Sequence, residues 1–219
     1  RPPLPGEQKG CPDHPEPEDV GRYLGEFLMD KNIIGAPYLI RKLLVQGIII
    51  PRRKFASAKK YRAIWTTTGS PLIVLTNTFA NKLQSFLDQK KFKVVVGNRY
   101  GQPSLEAALL ELEKSKVDKI YLLPMYPQWA QATTGSAIEK FKDVLLKHNI
   151  FNEISLLRPF YSHPQFIEIL AKNLQQKIKD FNPDHILFSY HGLPVSQVKK
   201  ISGCYQNPNC CRLPTSCEK

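Results

Sequence analysis

From Pro71 to Gly192 short apolar runs alternate with longer stretches of helical periodicity, and this alternation constrains the fold more than any other feature. PLIVLT precedes NTFANKLQSFLDQKK, KVVVGNRY precedes PSLEAALLELEKSK, KIYLLPMYP precedes TTGSAIEKFKDVLLKHN, EISLLRPFY precedes HPQFIEILAKNLQQKIKDF, and HILFSYHG closes the series. Continuous Val, Ile and Leu runs, each leading into a helix, predict parallel strands covered on both faces: an α/β fold built on a doubly wound parallel sheet. Upstream, DVGRYLGEFLMD predicts an amphipathic helix capped by Asp19, with Val20, Tyr23, Leu24, Phe27 and Leu28 at helical spacing. PRRKFASAKKYRAIW predicts helix in its second half, and TTTGSP a turn.

Composition narrows the function classes. With 42% apolar residues the 219-residue chain can fill a core, and a soluble globular protein is expected. The net charge of +12 suggests an acidic partner. The lysines fall at helix-surface spacings without a ribonucleoprotein or zinc-finger motif, so a solvated basic face is expected and nucleic acid is not. Residues 33–50 form the most apolar segment, but Arg41, Lys42, Gly35, Pro37 and Gly47 make it a poor membrane span. Such a stripe can lie on a membrane surface, line a pocket for a greasy ligand, or pack as a core helix. The polar, proline-rich opening differs from a secretory signal, so a cytoplasmic location is expected, peripheral at the membrane if the stripe lies on one.

In a parallel sheet the ligand crevice lies beyond the carboxyl ends of the strands. NRY at 98–100, PMYPQW at 124–129, RPFY at 158–161 and SYHG at 189–192 occupy those positions and together predict an aromatic-rimmed cleft for a flat, acidic, aromatic ligand. His191 follows an apolar strand, and Gly192 allows a sharp turn that can aim the imidazole into the cleft. A hydrogen-bonded structural histidine is the competing reading. Neither a phosphate-cradling Gly-rich loop nor a nucleophile elbow is present, which argues against a nucleotide enzyme or an ordinary hydrolase.

Cys204, Cys210, Cys211 and Cys217 form a C-x5-C-C-x5-C pattern in a Pro- and Asn-rich stretch. Four thiols so close together in a chain not expected to be exported point to a metal or cluster site rather than to disulfides, and the spacing is not that of common zinc modules. Zinc and free thiols remain alternatives. Cys11 stands apart from them.

YHGLP, LPMYPQWAQATTGS, NRYGQPS, GSPL after KKYRAIW, and EDVGRYLGEFLMDKNII resemble, in this order, the ferrochelatase family of porphyrin metallation enzymes, from about Pro17 to at least Gly203. The resemblance implies two Rossmann-like halves enclosing a porphyrin cleft, with ferrous iron as a substrate. Residues 1–16 read as an irregular segment, and the resemblance implies a first half at 17–135 carrying a porphyrin and membrane lip at 33–55, and the start of a second half at 136–219 ending in the Cys-rich loop at 203–217. It makes His191 the active-site histidine, as proton acceptor or as ligand to the substrate iron. Arg52 and Arg53 fall at the lip, and Tyr61, Ser70, Arg99, Tyr100, Tyr126 and Ser136 on or near the porphyrin path. Some members carry a 2Fe–2S cluster on four cysteines, a role it offers to Cys204, Cys210, Cys211 and Cys217.

The chain departs from the family pattern at both ends. Residues 1–16 lack the family's opening apolar strand, and no acidic motif with a glutamate opposite the histidine occurs before Lys219, so an incomplete second half is expected. Two alternatives stay open: a cobalt-inserting tetrapyrrole chelatase, and a non-catalytic tetrapyrrole or iron-sulfur binding fragment.

Overall fold

The computed structural model describes residues 10–179, 181–189, 192 and 195. His191 and the four clustered cysteines lie outside the described residues. The chain divides into two compact units, one of 10–125 with 132–157, the other of 126–131 with the described residues from 158 onward.

The first unit opens with α1 (Pro17–Leu28). The helix begins two residues before Asp19: proline occupies its first turn, where a missing N–H costs nothing, and Asp19 pairs with Arg22 instead of capping. Tyr38–Lys42 (α2), a π-helical stretch Leu43–Ile49 and Ile50–Ile64 (α3) then follow without a break in helical backbone. Helix therefore covers all of PRRKFASAKKYRAI, not only its second half. α1 lies against this segment through its glycines. A Cβ on Gly21 would stand 3.6 Å from Ile50 Cγ2, and one on Gly25 would stand 3.4 Å from Ile50 Cδ1.

PLIVLT is not a strand. It forms the first turns of α4 (Pro71–Phe86), with Ser70 before the helix and Pro71 in its first turn. The Thr76 and Thr78 hydroxyls donate to the Leu72 and Val74 carbonyls at 2.7 and 2.8 Å, as hydroxyls do within a helix. A short apolar run fits a buried strand or a helical turn equally well, and here the Ser-Pro start decides it. Val94–Val96 is also not in a strand; the Val94 N–H bonds the Gln84 side chain at 2.7 Å.

The sheet consists of β1 (Lys119–Leu122) and β2 (Glu153–Leu156), paired parallel with Lys119 opposite Glu153 and Leu122 opposite Leu156. Helix α5 (Leu105–Lys114) precedes β1, and α6 (Ser136–His148) connects the two strands. The core joins these elements: Leu105, Leu109 and Leu112 from α5, Ile120 from β1, and Phe141 and Val144 from α6, closed by Ile150. The observed fold is thus mixed α/β with a small parallel sheet. No doubly wound repeat is visible among the described residues.

In the other unit α7 (Pro164–Lys179) buries none of its residues. Phe160 and Tyr161 donate their N–H groups to the Pro127 carbonyl, both at 3.1 Å, and the Phe160 ring meets Phe166 edge-on at 5.1 Å. Residues 185–189, expected as a strand, are not in one. Ile186, Leu187 and Phe188 are exposed, and an apolar run becomes a parallel strand only where a neighbour supplies its ladder.

Candidate functional site

Two features of the first unit converge on Tyr100. One is a row of aromatic rings. The Tyr100 ring meets Phe27 edge-on at 5.2 Å, Phe27 lies parallel to Tyr23 at 6.2 Å, Tyr23 meets Tyr61 edge-on at 6.3 Å, and Tyr61 meets Trp65 edge-on at 6.5 Å. Tyr23 and Phe27 sit four residues apart, so α1 presents them on one face, while α3 carries Tyr61. Burial pushes the Tyr61 phenol pKa up, with the nearby Cys11 adding to the effect.

The other feature is a buried polar cluster around Asp30, which lies two residues beyond α1. Asp30 Oδ2 accepts from Arg99 Nη2 at 2.5 Å, from the Tyr100 hydroxyl at 2.7 Å and from the Ser136 hydroxyl. Its Oδ1 accepts the Asn32 backbone N–H at 2.7 Å. Arg99 Nε donates to Ser136 Oγ at 2.7 Å, and the guanidinium carbon lies 4.4 Å from the centre of the Tyr100 ring.

Local structure fixes each donor. The loop carrying Arg99 and Tyr100 is pinned at its ends, Asn98 N–H to the Pro103 carbonyl at 2.9 Å and Leu105 N–H to the Asn98 carbonyl at 3.0 Å. The Tyr100 carbonyl accepts the Gly10 N–H at 3.0 Å. Gly101 adopts φ +74°, and a Cβ there would come within 2.9 Å of the Cys11 carbonyl, so both backbone angle and space require glycine. Ser136 opens α6, and the same helical turn is held by Glu139, which accepts from Asn32 Nδ2 at 2.6 Å and pairs with Lys31. Residues 30–32 therefore clasp the first turn of α6, which continues the helical backbone of a π-helical stretch at Gln131–Gly135.

The electrostatics follow from this geometry. Burial alone would raise the Asp30 pKa, but hydrogen bonds from Ser136, the Asn32 N–H and Tyr100, with the charge of Arg99, outweigh it and hold the carboxyl below its usual 3.8. Burial pushes the Tyr100 phenol well above its ordinary value of 10.0, and its bond to the Asp30 carboxylate adds to the rise. Tyr100 is thus a neutral donor at physiological pH. Because the folded Asp30 pKa is depressed, the unfolded chain binds more protons in this range. The stabilisation is present above pH 3.8 and is lost as pH falls through the folded value. Asp30→Asn is expected to flatten the dependence of urea-unfolding midpoint on pH below about 4. A slope identical to that of the unsubstituted chain would contradict this.

The other expected site residues are distributed more widely. Arg52 and Arg53 are exposed on α3. Around them α2, the π-helical stretch and α3 expose Tyr38, Leu39, Ile40, Leu43, Ile48 and Phe55, while Arg41 is buried and donates to the Ile34 and Ala36 carbonyls at 3.1 and 2.9 Å. Ser70 is buried at the start of α4, where its carbonyl accepts the Ile73 and Val74 N–H groups. Tyr126 belongs to the other unit and is exposed. The described residues include no group of three or more His, Cys, Asp or Glu able to hold a metal ion, and no helix long and apolar enough to cross a membrane.

Asp30 escapes the sequence reading because it stands as the last letter of an amphipathic helix pattern. Its signal is weak: an acidic residue just past a helix end, with an Arg-Tyr pair at a later loop to receive it. Tyr23 and Phe27 read as ordinary members of an apolar stripe.

Comparison with known proteins adds an independent line. The family model described as Ferrochelatase matches residues 8–210. A protein named Ferrochelatase from Bdellovibrio bacteriovorus is 40% identical over 210 residues, covering 96% of this chain and 62% of that protein. One of the same name from Legionella pneumophila (strain Corby) is 42% identical over 195 residues, 89% of this chain and 57% of that protein. Another from Coxiella burnetii (strain CbuK_Q154) is 35% identical over 213 residues, 95% of this chain and 59% of that protein. The chain thus spans about three fifths of the length of these relatives.

Proposed function

The chain belongs to the ferrochelatase family, and on that premise we propose that it serves the insertion of ferrous iron into a porphyrin for haem biosynthesis. The observation that carries this reading within the structure is the aromatic row from Trp65 to Tyr100, which ends on a buried cluster of donors. Insertion exchanges two pyrrole protons for one Fe²⁺, so the site must grip a rigid flat ring, accept two protons and admit the ion. Aromatic faces supply the grip, and binding energy gained away from the reacting nitrogens can offset ring distortion on the order of 1–5 kcal/mol.

His191 takes the proton or holds the incoming iron; a neutral imidazole with pKa near about 6.5 suits either task. Arg52 and Arg53 meet the substrate carboxylates at the lip, where the exposed apolar residues of 38–55 rest on an anionic membrane surface. Tyr61, Ser70, Arg99, Tyr100, Tyr126 and Ser136 line or support the porphyrin path. The fold in this reading comprises two doubly wound halves, the first at 17–135 and the second from 136 onward. Cys204, Cys210, Cys211 and Cys217 supply four thiolates, the donor set a 2Fe–2S cluster takes.

One series of visible spectra tests these points. Purified anaerobically with iron and sulfide, the chain is expected to show thiolate-to-iron charge-transfer absorption that Cys210→Ser removes. Incubated with protoporphyrin and ferrous or zinc ion, it is expected to convert the free-base bands into those of the metalloporphyrin. Porphyrin binding without conversion would favour a non-catalytic binding protein, and conversion confined to cobalt and a corrinoid precursor would favour the cobalt enzyme. Retention on anionic vesicles, lost at high salt, checks the lip.

A further inference from the structure

We propose that Asp30 is a positioning residue, whose carboxylate fixes the orientation of Arg99 and Tyr100 at the end of the aromatic row. The inference rests on the porphyrin reading for its consequence, but its geometry stands apart from it. Four donors from three segments meet on one carboxylate: Arg99 and Tyr100 from the 98–104 loop, Ser136 from the start of α6, and the Asn32 backbone N–H. A carboxylate accepts at about four lone-pair sites. No other acidic group in the described residues makes an ion pair or hydrogen bond with Arg99 or Tyr100.

The arrangement is closed on itself. Arg99 is held at Nη2 by Asp30 and at Nε by Ser136, which itself donates to Asp30, while the guanidinium lies over the ring of Tyr100, whose hydroxyl also donates to Asp30. The Asp30 side chain is 3% exposed and that of Arg99 is 19% exposed. The anion is sealed inside while its cation reaches the surface. A buried ion pair contributes little net stability compared with well-packed apolar groups, so what this one supplies is orientation. The direction of that orientation is set by two rings, because Tyr100 is wedged edge-on against Phe27.

Asparagine at position 30 keeps the volume but cannot satisfy the site in either amide orientation. With its NH₂ at the Oδ1 position it confronts the Asn32 N–H; with its NH₂ at the Oδ2 position it confronts Arg99 Nη2 and two hydroxyls. The hydroxyls can rotate, whereas the guanidinium and the backbone N–H remain donors.

The experiment uses the 219-residue chain, ¹⁵N-labelled, with the Arg99 Nε–H resonance assigned through Arg99→Lys. In the unsubstituted chain this resonance is expected to be sharp and protected from solvent exchange. In Asp30→Asn it is expected to broaden or vanish at unchanged far-ultraviolet circular dichroism, and the Kd for protoporphyrin, from a Soret titration, is expected to rise about tenfold or more. Asp30→Glu, which retains the charge, is expected to recover part of both. A protected Arg99 resonance or an unchanged Kd in a folded Asp30→Asn variant would overturn the proposal. If Asp30→Asn does not fold, Ser136→Ala carries the test: it removes the acceptor of Arg99 Nε, and an unaltered resonance there would be equally damaging. Failure of the unsubstituted chain to bind porphyrin would overturn the proposed function instead, and the Arg99 resonance would still decide the role of Asp30.

Discussion

Replacing His191 by alanine is expected to slow metal insertion by about 10²–10⁴-fold, the range associated with loss of a positioned general acid or base, while leaving porphyrin binding largely intact. Insertion requires both pyrrole protons to leave as the metal arrives, and of the five histidines only His191 stands in the YHG motif that closes the apolar series. Binding, in the proposed reading, draws instead on ring area supplied by Tyr23, Phe27, Tyr61 and Trp65, all more than a hundred residues before that histidine in sequence. Initial rates of zinc- and iron-porphyrin formation at saturating porphyrin, measured beside a Soret titration, separate the two effects. A variant that inserts metal at the unsubstituted rate would remove His191 from the chemistry. A variant that neither binds nor inserts would place it in the binding surface.

Phe141→Ala is expected to destabilise the first unit by about 3–5 kcal/mol, the usual range for emptying a buried aromatic site. Phe141 is 3% exposed and packs with Leu105, Leu109, Leu112, Ile120 and Val144, so it bridges α6 to α5 and the sheet. The same helix begins at Ser136 and carries Glu139, so loosening it also loosens the clasp on residues 30–32. Urea unfolding followed by circular dichroism measures the change. A loss below about 1 kcal/mol would mean that the α5–α6–sheet core is not what holds this unit together.

Parts of this architecture were readable in advance and parts were not, for identifiable reasons. The α5 and α6 patterns are long and periodic, and both form helices close to the expected spans, α5 capped by Ser104 and α6 continuing from the π-helical Gln131–Gly135. KIYL and EISL pair as parallel strands because α6 returns the chain in the same direction. PLIVLT shows the limit of a six-residue apolar run, since its composition fits a strand and its Ser-Pro start fits a helix. Arg99, Tyr100 and Ser136 could be singled out by motif resemblance, but nothing in their spacing says that they share one acceptor. That acceptor, Asp30, lies 69 residues before Arg99 and 106 before Ser136, and only the packed fold brings them together. Tyr23 and Phe27 illustrate a related ambiguity: an apolar stripe on a helix reads as core, and here it forms the middle of an aromatic row.

The most direct test of the account is the fluorescence of Trp65 during a protoporphyrin titration of the chain carrying Trp129→Phe, which leaves Trp65 as the sole tryptophan. Trp65 ends the aromatic row, so the account predicts saturable quenching at one porphyrin per chain, in step with a shift of the Soret band. Quenching that rises linearly without saturating, with a Soret band that stays where free porphyrin has it, would contradict a tetrapyrrole site on this protein.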